Sequence, residues 1–264
     1  MKIYKQKGSE IIYDECPFCG NMKNNFQVNV DKGVYHCWVC DAKGPISKLN
    51  ILLPRVFRGD NVSTHTFTPQ KSLVLKDCVD VIGTEGEEYL KNRGFSLEDI
   101  LCWGIRFSLL NRLVFPWYDD EDRLLYYVEK DIKTGSWNYP EGVSKKDILW
   151  VRFRNQSNDI LIVEGIFDAM RVYSYGYNVL ILLGTNVFDR DVDFIRKKNL
   201  NPILFLDSDC KIEVYKRIKK RLGDFECMKI EEGDPDELSK KEVDELFKNK
   251  VKFGLSDELK VRWK

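Results

Sequence analysis

Three stretches in the second half of the chain are apolar without a break: ILIV at 160–163, VLILL at 179–183 and ILFL at 203–206. A strand buried on both faces reads this way, whereas a half-exposed strand alternates. Between them lie stretches with helical spacing, so the order is strand DILIVEG, helix IFDAMRVYSYG, strand YNVLILLG and helix VFDRDVDFIRKKN. Strand PILFLDSD, helix CKIEVYKRIKKRLG, strand DFECMKI and helix PDELSKKEVDELFKN complete the series. Four buried strands alternating with helices predict a parallel α/β sheet covered on both faces. There is no internal repeat and no low-complexity tract.

In open sheets of this kind chemistry gathers at the carboxyl ends of the strands. Here those ends are acidic. Glu164 closes the first strand, Asp207 and Asp209 close the third, and Asp234 and Asp236 follow the fourth. Asp168 stands one helical turn after Glu164 and is expected to face the same way. Carboxylates crowded at one place need a cation, and hard oxygen donors suit Mg²⁺ or Mn²⁺. Each acid also has a plainer reading. Asp234-Pro235-Asp236-Glu237 is a good helix start, Asp168 could lie on an exposed helix face, and Asp-Ser-Asp could be only a loop.

The front of the chain has a different texture. Cys16 and Cys19 form one Cys-x-x-Cys pair, Cys37 and Cys40 a second. Two such turns can close a tetrahedral Cys₄ zinc site. The alternation Phe26-Val28-Val30, then Val34-Tyr35 across an Asp31-Lys32-Gly33 turn, predicts a hairpin carrying the second pair, hence a zinc ribbon. Ile46, Leu49, Ile51 and Leu52 could pack on it as a short helix or turn. The polar run RGDNVSTHTFTPQ then reads as a linker. The expected organisation is a zinc ribbon over 1–57, a linker over 58–70, an α+β segment over 71–157 and the parallel α/β sheet over 158–264. Within the third part, Tyr89 and Leu90 lie on a helix stopped at Gly94, and Ser96-x-x-Asp99 opens another. RLVFPWYDDEDRLLYYVEKDI predicts two strands around Asp119–Asp122.

The remaining cysteines, Cys78, Cys102, Cys210 and Cys227, are scattered singly among apolar residues, as in a reducing compartment. No apolar run approaches bilayer length, so a cytoplasmic protein is expected, in a host cytoplasm if phage-encoded. With 42 basic and 42 acidic residues the formal net charge is zero, and total charge is no argument for a nucleic-acid partner. KRIKKR, at 216–221, reads equally as a solvated helix face.

LIVEGIFDAM, LLGTNV, ILFLDSDC and EEGDPDEL, in that order, resemble the TOPRIM domain shared by DnaG-type primases and topoisomerases. CPFCG with YHCWVCDAKG resembles the zinc-binding domain that the primases set in front of it. YLKNRGFS and NRLVFPWYDDEDRLLYYVEKDI resemble the first part of the primase RNA-polymerase core, and WNYPEG its Tyr-Leu-Asn-Ser-Pro-Glu-like segment. Two departures stand out. Cys19 occupies a ligand position where many bacterial members have His. Ser136 and Trp137 stand where the family carries a basic residue, with Lys145 or Lys146 as replacements.

The resemblance implies a DNA primase of the primosome: template-directed RNA primer synthesis on single-stranded DNA from ribonucleoside triphosphates. It implies Glu164, Asp207 and Asp209 as the catalytic metal ligands, with Asp168, Asp234 and Asp236 binding a further ion or orienting the first. Arg112 is expected on a phosphate or the template backbone, and the ribbon on template through Lys32, Tyr35, His36 and Trp38. Tyr35 and Trp38 could instead pack the ribbon's own small core. No phosphate-loop motif is present, so the replicative helicase is expected as a separate polypeptide. A TOPRIM nuclease and a catalytically idle zinc-ribbon adaptor are the competing readings.

Overall fold

The computed structural model describes residues 3–45 apart from 8, 9, 17, 18, 20, 30, 31 and 33, together with 73, 75, 77–119 and 123–254. The expected 31–33 turn, the Ile46–Leu52 segment, the 58–70 linker and the 119–122 turn lie wholly or partly outside the described residues. The chain divides into two compact units, one running to Val143 and one from Ser144.

The first unit opens with an antiparallel meander: β1 (Ile3–Lys7), β2 (Glu10–Tyr13), β3 (Phe26–Asn29), β4 (Val34–Cys37) and β5 (Lys43–Pro45). The expected hairpin is β3–β4, pairing Phe26 with Cys37 and Val28 with Tyr35. Alternation puts Ile11, Tyr13, Phe26, Val28 and Tyr35 on one buried face. Phe26 sits at its centre, with ring centroids 6.0 Å from Tyr13 and 5.7 Å from Tyr35. The β1–β2 hairpin, which widens this face, was not among the expected elements.

A second antiparallel sheet follows in the same unit. It comprises β6 (Cys78–Asp80), β7 (Arg106–Ser108), β8 (Arg112–Tyr118), β9 (Leu124–Asp131) and β10 (Trp137–Asn138), in the order β10-β9-β8-β7-β6. Its two helices are α1 (Glu85–Asn92) and α2 (Leu97–Trp103). The Ser96–Asp99 capping box starts α2 as expected, with the Asp99 carboxylate 2.9 Å from the Ser96 amide. Tyr13 of the ribbon is buried, and its hydroxyl is raised by that burial and by the neighbouring Glu98 and Cys102.

The second unit holds a six-stranded sheet of order β11-β13-β12-β14-β15-β16. Its parallel centre is β12 (Asp159–Val163), β13 (Val179–Ile181), β14 (Asn201–Phe205) and β15 (Glu226–Met228). The helices are α3 (Ile166–Ser174), α4 (Asp189–Lys197), α5 (Ile212–Leu222) and α6 (Lys240–Lys248). Short antiparallel strands, β11 (Val151–Arg152) and β16 (Val251–Lys252), pair at the two edges. These two-residue strands are too brief to carry a periodic signal. β11 joins the sheet ahead of Asn158.

The last expected helix is divided. Pro235–Glu237 forms a 3₁₀ turn, and α6 restarts at Ser239, whose hydroxyl accepts from the Glu242 amide while Glu242 accepts from the Ser239 amide. Ser239-Lys240-Lys241-Glu242 is a complete capping box, and it competes with the Asp234–Glu237 start.

Candidate active site and thiol cluster

β13 lies on one side of β12 and β14 on the other, so the chain reverses its direction of winding between β12 and β14. That crevice is where α/β sheets place ligands. The register sets Ile162 beside Leu204, so Glu164 and Asp207 emerge next to each other just past the paired ends. Gly165 follows Glu164 for a steric reason: a Cβ there would sit 2.8 Å from Asp168 Oδ2. Asp168 uses that oxygen to accept from the Gly165 amide at 2.9 Å, so it caps α3 and also faces the acidic cluster.

The Asp234–Asp236 loop is tied into the same place. The Ser208 amide donates to the Gly233 carbonyl at 3.0 Å, Arg171 Nε to the Asp236 carbonyl at 2.8 Å, and the Tyr175 hydroxyl to the Leu238 carbonyl at 2.8 Å. Asp168 and Asp236 are buried, Glu164 and Asp207 half-buried, and Asp209 and Asp234 exposed.

These acids share one electrostatic field. Burial, then Asp168, Glu164, Asp234 and Asp209, push the Asp207 carboxyl up to about 8. Burial, then Asp236 and Asp234, push Asp168 up to about 7. Glu164 is raised chiefly by burial, against hydrogen bonds from the Cys210 thiol and the Asp207 backbone that pull it down. Asp207 Oδ1 is buried without a hydrogen-bond partner. A buried acceptor left open in so negative a field fits a cation. The sequence reading missed Cys210, whose thiol is pushed up to about 12 by burial and then by Glu164.

The four thiols of the ribbon converge more tightly. Cys16, Cys19, Cys37 and Cys40 have their Sγ atoms within 4.8 Å of one another. Cys16 and Cys40 are 3.9 Å apart and Cys19 and Cys37 4.0 Å. Tetrahedral thiolates about 2.3 Å from one ion stand about 3.8 Å apart, so the donor set fits a metal ion. Burial would raise Cys37, but hydrogen bonds from the Cys40 and Val39 backbone outweigh it and hold the thiol at about 7. Among the described residues this is the one His/Cys/Asp/Glu group whose ligand atoms close to that spacing.

The other candidate residues separate by exposure. Tyr35 is buried in the ribbon core, packed against Phe26 and Gly44, so of its two readings the structure has the core. Trp38 is 65% exposed, with the His36 ring edge-on at 4.3 Å. His36 Nε2 lies 2.8 Å from Asp41 Oδ1. Lys32 is exposed, and its backbone amide donates to Asn29 Oδ1. Arg112 opens β8 with its guanidinium 2.9 Å from Glu129 and 4.0 Å from Asp131, so two carboxylates already compensate it. Lys146 is exposed, whereas Lys145 turns inward and donates through Nζ to the Leu183 carbonyl.

A parallel α/β sheet with acids at the switch point and a neighbouring carboxyl-end loop defines a Toprim-type domain, and a Toprim-like family model matches residues 161–239. The DNA primase of Campylobacter jejuni is 23% identical, over 78% of this chain and 45% of its own length. The chain thus spans less than half of that relative. A structure of the DnaG catalytic core superposes with a TM-score of 0.53 at 18% identity, covering 78% of this chain and 80% of that one. A DnaG primase catalytic domain bound to ssDNA gives 0.52 at 16% identity, over 78% and 79%. The chain is similar to DnaG-type DNA primases over most of its length and has the fold of their catalytic core. No helix among the described residues is long and apolar enough to cross a membrane.

Proposed function

We propose that this chain is a DNA primase that joins ribonucleotides on a single-stranded DNA template by metal-dependent nucleotidyl transfer. The observation that carries the reading is Asp207 Oδ1, buried without a hydrogen-bond partner amid Glu164, Asp168, Asp209 and Asp234. Glu164, Asp207 and Asp209 are the ligands for Mg²⁺ or Mn²⁺, chosen by hard oxygen donors. Asp168, Asp234 and Asp236 hold a further ion or orient these ligands. Divalent ions bound there would lower the pKa of the attacking hydroxyl and bear charge on the triphosphate.

The chain's own side chains do the positioning. Lys145 and Lys146 hold triphosphate from the 3₁₀ turn Lys145–Asp147, and Arg112 contacts a phosphate once drawn from its carboxylates. The thiol cluster takes Zn²⁺, the metal suited to four cysteines, and so keeps the ribbon folded. The exposed Trp38 stacks on an unpaired template base, with His36 and Lys32 on the same hairpin, while Tyr35 supports them from the core. The solved DnaG domain bound to ssDNA supports a single-stranded template. With that reading come a replicative helicase as partner and the cytoplasm as setting.

Glu164→Gln and Asp207→Asn test the reading directly. Each is expected to abolish dinucleotide synthesis in Mg²⁺ while thiol-bound metal stays unchanged. Near-parental synthesis by both variants would sink it.

A further inference from the structure

Lys145 is tied to the loop that follows β13. Its ammonium donates to the Leu183 carbonyl, and a Cβ at Gly184 would sit 3.4 Å from that Nζ. Leu183 is held in the left-handed region at φ 52°, which a leucine rarely adopts, and Gly184 follows at φ 131°. The Gly184 amide then donates to the Glu164 carbonyl at 3.1 Å, and the Leu182 amide to Val163 at 3.0 Å. One strained loop therefore joins the lysine to the main chain of the catalytic glutamate.

The other end of Lys145 is held as well. Arg190, near the start of α4, donates through NH1 to the Lys145 backbone carbonyl. The guanidinium is fixed on two further sides. Its Nε lies 3.0 Å from Asp191 Oδ1, and its centre stands 5.6 Å from the Phe188 ring. Asp191 is 1% exposed and uses its second oxygen to accept from the Phe188 amide at 2.8 Å. A planar guanidinium can serve a carbonyl and a carboxylate together, which an ammonium on a flexible stem cannot do in one geometry. A buried acid in direct contact with one guanidinium, with Arg221 acting on it from further off, is a fixed point, since breaking the close pair leaves the buried charge poorly compensated.

We propose that Arg190, anchored on Asp191, is a positioning residue that sets the 3₁₀ turn so that Lys145 meets the triphosphate at the acidic crevice. The proposal rests on the reading of Lys145 as a nucleotide-binding residue. Arg190 touches neither substrate nor metal and acts through the Lys145 carbonyl. Its loss frees the turn without moving Glu164, Asp207 or Asp209, so it weakens nucleotide capture and leaves the joining step intact.

The test is a double-mutant cycle of Arg190→Gln and Lys145→Ala, read by binding of Mg²⁺-bound ribonucleoside triphosphate and by steady-state primer extension. Arg190→Gln is expected to raise KM and the binding constant about tenfold with kcat within about twofold, and to change neither further when Lys145 is already Ala. Arg190→Lys, which keeps the charge without the fork, is expected to restore folding stability but not KM. Additive effects, or a fall in kcat that tracks lost thermal stability, overturn the positioning role and leave an ordinary structural arginine. If the unmodified chain binds triphosphate and extends primers while Lys145→Ala is silent, this proposal fails and the primase reading stands. If the unmodified chain does neither, both fail.

Discussion

Asp168→Asn isolates the electrostatic strain of the acidic centre from its chemistry. The carboxyl is 6% exposed, and burial, then Asp236 and Asp234, lift it from 3.8 to about 7. An acid whose folded value stands above its unfolded one contributes most to stability below the unfolded value. That contribution is lost as pH rises through the folded value, here between 3.8 and about 7. Keeping Asp168 ionised above this window costs the fold at most about 4 kcal/mol. Asparagine retains an oxygen for the Gly165 amide, so the α3 cap survives. With one charge gone, Asp207 ionises more readily and returns part of the gain. The expected increase in stability at pH 8 is therefore about 1–2 kcal/mol, falling to near zero at about pH 3, below the unfolded value of 3.8, where the carboxyl is neutral folded and unfolded alike. Urea unfolding of parent and variant in Mg²⁺-free buffer at the two pH values measures it, and Mg²⁺ should stabilise the parent more than the variant. A variant that is less stable at pH 8, or equally stabilised at both pH values, refutes the argument.

Cys37→Ser removes a buried ligand of the thiol cluster and is expected to lose bound metal. De novo dinucleotide synthesis should fail while extension of a pre-annealed primer persists, because base pairing then holds the nucleotides and the acids lie in the other unit. Metal loss with both activities falling together would refute that division. Trp38→Ala should weaken single-stranded DNA binding by about 1–3 kcal/mol, measured by fluorescence anisotropy, with thermal stability nearly unchanged. Gly86→Ala would bring a Cβ to 2.5 Å from Phe107 and 2.9 Å from Leu113, and calorimetry should register a loss of about 1–3 kcal/mol.

Much of this was legible in the sequence, wherever a local rule sufficed. Apolar runs at 160–163, 179–183 and 203–206 marked strands buried on both faces, and these are the parallel centre of the second unit. Cys-x-x-Cys spacing is a property of one turn, and each pair does present both thiols to a common centre. Ser96-x-x-Asp99 likewise carries its own cap. The acids too could be read in order, because strands end where their apolar runs end.

What the sequence left open depends on which residues meet across the fold. Nothing local to Tyr35 and Trp38 says that one fills the ribbon core and the other stands in solvent. Strand alternation decided it once β3 and β4 paired in one register, with Tyr35 on the inner face and Trp38 just past the strand end. Lys145 stands alone in sequence from Leu183, Arg190 and Glu164, and only the folding of the 3₁₀ turn against the β13 loop joins them. Cys210 gained its place beside Glu164 because β12 and β14 are neighbours across the switch point. Periodicity and turn chemistry act within a few residues and so survive in the linear chain. Side-chain partners separated by dozens of residues exist only after the sheet has chosen its strand order, and that choice is tertiary.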